Sequence, residues 1–220
     1  MIIHMVKNNT SRKGFTLIEL LVVIAIIAIL AVVVVLTLNP AQLLAQARDS
    51  NRASDFATLK SAIGLYEADV STTTWLNGTA TGGLGTSTIM VSGTTSVSIA
   101  NMTSTACVTL PGTGWGFIGG ETIVSSTVAQ GATARAINGT GWIPIDFAII
   151  SSGAPISSLP VDPVNNGTNV YAFVGGQTTY KLATKMESTK YSQGGSNDIE
   201  STDGGSSPCT YEQGTAVGTF

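Results

Sequence analysis

The stretch "RKGFTLIELLVVIAIIAIL", residues 12–30, decides how the chain is read. It opens on Arg12 and Lys13 and turns apolar at Phe15. One acidic residue, Glu19, comes before seventeen consecutive apolar residues, Leu20–Leu36. A hydrocarbon core of ~30 Å needs roughly 20 helical residues. Phe15–Leu38 supplies 24, interrupted only by Thr16, Glu19 and Thr37. Lys7, Arg12 and Lys13 precede this run. The positive-inside rule therefore keeps the N-terminus cytoplasmic and sends the rest of the chain outward. Glu19 needs a separate explanation. An ionised carboxylate on a lone helix in lipid costs about 2.5–3.5 kcal/mol at the bilayer centre and less toward the interface.

Three readings compete for this segment. A secretory signal peptide has an A-x-A-like site available at Ala45-Gln46-Ala47, but the apolar core is longer than the usual stretch of about 7–15 residues. A plain signal anchor explains length and orientation but leaves the carboxylate without a role. The third reading explains it. The segment "KGFTLIEL", residues 13–20, resembles the processing site of type IV pilins and type II secretion pseudopilins. The resemblance implies a leader, residues 1–14, removed after Gly14, and a mature chain that begins at an N-methylated Phe15. It places Glu19 at the fifth mature position, where that family carries its single carboxylate. Cleavage creates a cationic α-amine on Phe15. When subunits stack, Glu19 of one can pair with the amine of a neighbour, which selects the axial register of assembly. Such a buried pair adds little net stability, because desolvation offsets attraction. A glycine at position 14 lets a peptidase approach the backbone closely.

Composition bounds the rest. The chain has 220 residues, is 43% apolar and 10% charged, and carries a formal net charge of −3. No basic run follows the apolar segment, so a nucleic-acid-binding patch is not signalled. The one histidine is His4. With residues 1–14 removed, no histidine remains for Ser-His-Asp or Cys-His catalysis or for a histidine-ligated metal. No catalytic residues are expected. Cys107 and Cys209 fit no metal-binding spacing. In an exported chain a disulfide is the natural reading, closing a loop worth about 4–5 kcal/mol in the chain-entropy model. Two unpaired buried thiols are the alternative.

Asn39-Pro40 follows the apolar run. A kink or break is expected there, or a new helix capped by Asn39 with Pro40 in its first position. Pilins often carry a helix-breaking proline several residues earlier. Beyond it, Leu43, Leu44, Ala47, Phe56, Leu59, Ile63 and Tyr66 recur at helical spacing and predict an amphipathic helix to about residue 70. Gln46, Asp49, Arg52, Asp55 and Lys60 take the opposite face, toward solvent or neighbouring subunits. Residues 71–141 are rich in Ser, Thr and Gly, with short strands at "STIMVS", "SVSIA" and "ACVTL". Asn77, Asn101, Asn138 and Asn166 each head an N-x-T triplet, read as chance matches. In residues 142–220, "WIPIDFAII" alternates as a strand and "NVYAFVGGQTTYKLATKME" as a hairpin turning at Gly175-Gly176. In the tail, Asp198, Glu200 and Asp203 lie in a Gly/Ser-rich loop. A solvated acidic loop is one reading. A calcium loop of the kind major pseudopilins carry is the other, and no EF-hand pattern supports it.

The expected fold is α+β and pilin-like: a long N-terminal helix packed on a C-terminal antiparallel sheet. The divisions are a leader at 1–14, a transmembrane or filament-core helix at 15–38, an amphipathic helix at 39–70, a variable connection at 71–141, and the sheet with its final loop at 142–220. The resemblance implies a homo-oligomeric helical filament, a prepilin peptidase, a platform protein and a cytoplasmic ATPase as partners. It implies a cytoplasmic-membrane precursor and an extracellular product. A type IV pilin, a secretion pseudopilin and a non-polymerising anchored binding module all remain open.

Overall fold

The computed structural model describes residues 14–70, 88–92, 125–128, 131–166, 169–175 and 179–215. The chain divides into two compact units, Met1–Ala41 and Gln42–Phe220. Helix α1 spans Leu17–Leu38 and helix α2 spans Pro40–Asp69. Asn39 ends α1 in the left-handed region, at φ 39° and ψ 77°, which asparagine tolerates better than most residues. Pro40 then opens α2, where its missing N–H costs nothing. Both sequence readings of this dipeptide thus hold in part: the helix breaks, and proline starts the next one.

The sheet orders its strands β2-β1-β3-β4-β5. They are β1 (Thr88–Val91), β2 (Ser125–Val128), β3 (Ala172–Gly175), β4 (Tyr180–Thr184) and β5 (Tyr211–Gly214). Strands β1, β3, β4 and β5 pair antiparallel, while β2 joins β1 in parallel at one edge. The expected hairpin is present as β3–β4, with Phe173 opposite Leu182. "STIMVS" provides β1, whereas "SVSIA" and "ACVTL" lie outside the described residues. "WIPIDFAII" is not a strand. Asp146 caps a short 3-10 helix, Phe147–Ile149, by accepting the Ala148 N–H at 3.0 Å. Its apolar residues still go inward: Trp142, Ile143, Ile145 and Phe147 are fully buried, while Ile149 is exposed. Their alternation arises from a folded-over loop, because Pro144 supplies no ladder donor.

Helix α2 presents one stripe to this core. Ala45, Asp49, Arg52, Phe56, Leu59, Ile63 and Tyr66 are buried, at alternating spacings of four and three. The lower part packs on Phe173, Tyr180 and Leu182. Leu43, Leu44 and Ala47, expected on this face, are exposed, and Asp49 and Arg52, expected in solvent, are buried. The reason is ion pairing. Arg52 donates from Nε and Nη2 to Asp162 at 2.7 and 2.9 Å and from Nη1 to Asp49 at 2.8 Å, and it also pairs with Glu187. Asp49 accepts the N–H groups of Glu187 and Ser188 at 2.9 and 2.8 Å. Arg48 Nε holds Glu187 at 2.8 Å. Burial works against the Glu187 charge, but its bonds to Arg48 and Arg52 hold its carboxyl below the ordinary range.

The connection from β4 to β5 is cross-braced by carboxylates. Glu200, nearly fully buried, accepts the Met186 N–H at 2.7 Å and the Gln193 N–H at 3.0 Å. Asp198 accepts the N–H groups of Gly194, Glu200 and Ser201. Asp203 accepts the Gly205 N–H at 2.8 Å and the Glu212 N–H on β5.

Two outcomes follow for the full chain in detergent, with unfolding read by tryptophan fluorescence. Arg52→Met removes the cation facing two buried carboxylates, Asp49 and Asp162, and should lower the unfolding free energy by about 3–5 kcal/mol. A loss no larger than that of the exposed control Lys60→Met, within about 0.5 kcal/mol, would refute the hub. Burial pushes Glu200 up from 4.5 to about 7. A carboxyl that binds its proton more tightly when folded stabilises the fold below its unfolded pKa, and that stabilisation is lost as pH rises through its folded pKa. Stability should therefore fall between pH values of about 5 and about 8, by up to about 3 kcal/mol. Glu200→Gln should flatten this slope, and an unchanged slope would exclude Glu200 as its source.

Candidate functional site

The residues singled out at the N-terminus stand on one short element. Gly14 to Thr16 are non-helical, and α1 begins at Leu17. Thr16 is the N-cap, extended at φ −79° and ψ 151°. Its hydroxyl accepts the Glu19 N–H at 3.3 Å, while Glu19 Oε2 accepts both the Thr16 N–H and the Thr16 hydroxyl at 2.8 Å. This reciprocal capping box satisfies two backbone donors that the first turn of a helix leaves over. The negative charge also sits where the helix dipole favours it.

The resemblance to pilins implies one task for Glu19, meeting a neighbour's amine. The structure gives it another within its own chain. The signal was present as Thr16-Leu17-Ile18-Glu19, the T-x-x-E spacing of a capping box directly before an apolar run. The cap occupies Oε2 alone, and Oε1 makes no hydrogen bond among the described residues. One carboxylate thus closes the helix start and keeps an acceptor open.

Among the described residues nothing packs against Gly14. A Cβ built there meets nothing within 4 Å, and its backbone is not left-handed. The fold around the described residues does not explain the glycine. Phe15 is 92% exposed, and the apolar side chains of α1 that follow are exposed all round the helix. Leu17–Val35 is long and apolar enough to cross a membrane, by length and composition. Its last polar side chain, Thr37, donates back to the carbonyls of Val33 and Val34 at 3.0 and 3.1 Å. That hydroxyl needs no water.

The other expected sites stand apart from this one. Asp198, Glu200 and Asp203 were read as a solvated acidic loop or, alternatively, a calcium set. Each turns its carboxylate to backbone N–H groups. Among the described residues, no group of three or more His, Cys, Asp or Glu side chains is gathered to hold a metal ion. Their oxygens do the work of loop bracing that the Gly/Ser-rich backbone cannot do alone. Cys209 is buried just before β5, and Cys107 lies outside the described residues.

Comparison with known proteins bears on the N-terminal element. No curated protein and no solved structure matches the chain. Residues 9–35 match the family model of the prokaryotic N-terminal methylation motif. The match spans the five residues before Gly14, then Gly14, Phe15, the capping box and most of α1. The chain therefore carries the prepilin-type cleavage motif of type IV pilins and pseudopilins, on an apolar helix that fits a membrane-anchored precursor.

Proposed function

We propose that the chain is the structural subunit of a type IV pilus-like extracellular filament. A prepilin peptidase cleaves it at Gly14–Phe15 and methylates Phe15. The subunit waits in the cytoplasmic membrane and polymerises through its N-terminal helix, driven by a platform protein and an ATPase. The observation that carries this reading is the state of Glu19. Its Oε2 is spent on Thr16 and its Oε1 is open, at the head of a helix whose apolar side chains lie exposed. An acceptor of this kind suits a cation that arrives with another copy of the same helix. The α-amine that cleavage would create is such a cation. A charge-assisted bond there would be stronger than a neutral one.

The outer face of α2 supports the same reading. Ala47, Ser50, Ser54, Ala57, Ser61 and Gly64 follow one another every three or four residues, all exposed. Ser50 and Ser61 donate back to the carbonyls of Gln46 and Ala57 at 3.0 and 2.9 Å. Small residues let helices approach closely, and back-bonded hydroxyls can be buried without losing a partner. The proposal includes a Cys107–Cys209 disulfide, as an exported chain favours. A secretion pseudopilin would share the helix and the cleavage site. The Ser/Thr-rich connection and the disulfide suit an exposed pilus, and long surface filaments under the electron microscope would separate the two.

Mass spectrometry of the mature N-terminus should find N-methylated Phe15. A start near Asp49, or an intact leader, would sink the reading. Glu19→Leu should leave membrane insertion intact and abolish assembled filaments. A non-polymerising anchored module predicts no effect of that change.

A further inference from the structure

The alternation of β4 and β5 turns Lys181 and Glu212 away from the core residues Leu182 and Tyr180. Neither side chain has any solvent exposure. Lys181 Nζ stands 3.1 Å from Glu212 Oε1 and 2.7 Å from Ser206 Oγ, to which it donates. The other carboxylate oxygen, Oε2, accepts the N–H groups of Ser206 at 2.6 Å and Ser207 at 3.3 Å. Gly205 permits this approach, since a Cβ there would lie 1.8 Å from Oε2. Asp203 closes the cluster through the Glu212 N–H. Burial drives the Lys181 pKa down and the Glu212 pKa up, against their mutual attraction, and it raises Asp203 as well. The amine and the carboxyl are thus both biased to neutral forms. The filament reading uses none of these groups.

We propose that Lys181 and Glu212 condense into an intramolecular amide, an isopeptide bond that joins β4 to β5. The Nζ lone pair attacks Glu212 Cδ. Oε2 takes up the developing negative charge against the two backbone N–H groups, which act as an oxyanion hole. Oε1 leaves as water, carrying the carboxyl proton and one proton from the attacking nitrogen. Ser206 Oγ is in hydrogen-bond contact with that nitrogen and relays the proton. One N–H and one C–O bond break, one C–N and one O–H bond form, and no oxidant or co-reactant is required. Ser206 is exposed, so the water has an exit. Fixed intramolecular placement supplies effective concentrations that reach about 10⁵–10⁸ M in well-oriented systems. The product replaces two buried ionisable groups with a neutral amide, whose oxygen keeps both backbone donors.

Intact-mass spectrometry of the full-length chain, extracted in detergent, tests the proposal. The expected mass is one water lower than the sequence requires, once the observed N-terminus, methylation and disulfide are counted. Proteolysis should then yield one branched peptide containing both Lys181 and Glu212. Lys181→Met should restore the missing water. The wild-type measurement decides the matter even if that variant fails to fold. A wild-type mass with no water missing, or a Lys181 that takes an amine-reactive label after denaturation, overturns the proposal.

Discussion

The globular unit depends on one buried guanidinium. Arg52 touches carboxylates from its own helix, from the loop at Asp162 and from the segment after β4 at Glu187. Each of these carboxylates is also a backbone anchor or close to one. Asp162 accepts the N–H groups of Val164 and Asn165, at 2.8 and 3.1 Å. Asp49 accepts those of Glu187 and Ser188. The guanidinium therefore fixes two loops against one helix turn. A buried ion pair is not in itself a large source of stability. Its two-pronged contact with Asp162 does select a geometry that no aliphatic side chain could specify. The apolar core below sets where α2 lies, and the charged hub above sets how the chain passes over it.

Much of this was legible in the residues, and the failures have physical causes. The cleavage motif, the apolar helix, the Asn39-Pro40 break and the β3–β4 hairpin all rest on local signals, which sequence carries well. Asp49 and Arg52 were assigned to solvent because charge usually is. Yet the spacing of Phe56, Leu59, Ile63 and Tyr66, continued backward, lands on Arg52, Asp49 and Ala45. Periodicity had the answer and residue type overrode it. "WIPIDFAII" failed the opposite way. Its alternation was real, but a proline and an Asp cap turned it into a folded loop. Strand β5 was missed because "YEQG" has no strand signature of its own, and its pairing with β4 is long-range. The parallel β2 is beyond any local signal for the same reason.

A common rule links α1 and α2. Several of their hydroxyls, and one oxygen of the α1 carboxylate, are satisfied within the helix itself. Thr16 and Glu19 serve each other. Thr37, Ser50, Thr58 and Ser61 return to carbonyls one turn back. Such hydroxyls do not depend on water. They can face lipid or another helix without being stranded, which would cost about 1–3 kcal/mol each. The sheet follows another rule. There the polar atoms reach across long sequence separations, and the network holds only in the assembled fold.

The contact between Asp203 and the Glu212 N–H carries one more consequence. Strand β5 ends the sheet, and an open strand edge is a template on which any extended chain can add itself. The side chain of Asp203 occupies one of the outward backbone donors of that edge, where a foreign strand would need it. Under the proposed filament reading, copies crowd together at high local concentration, and growth along this border would produce a tangle. A single carboxylate placed as a stopper takes one donor out of that template.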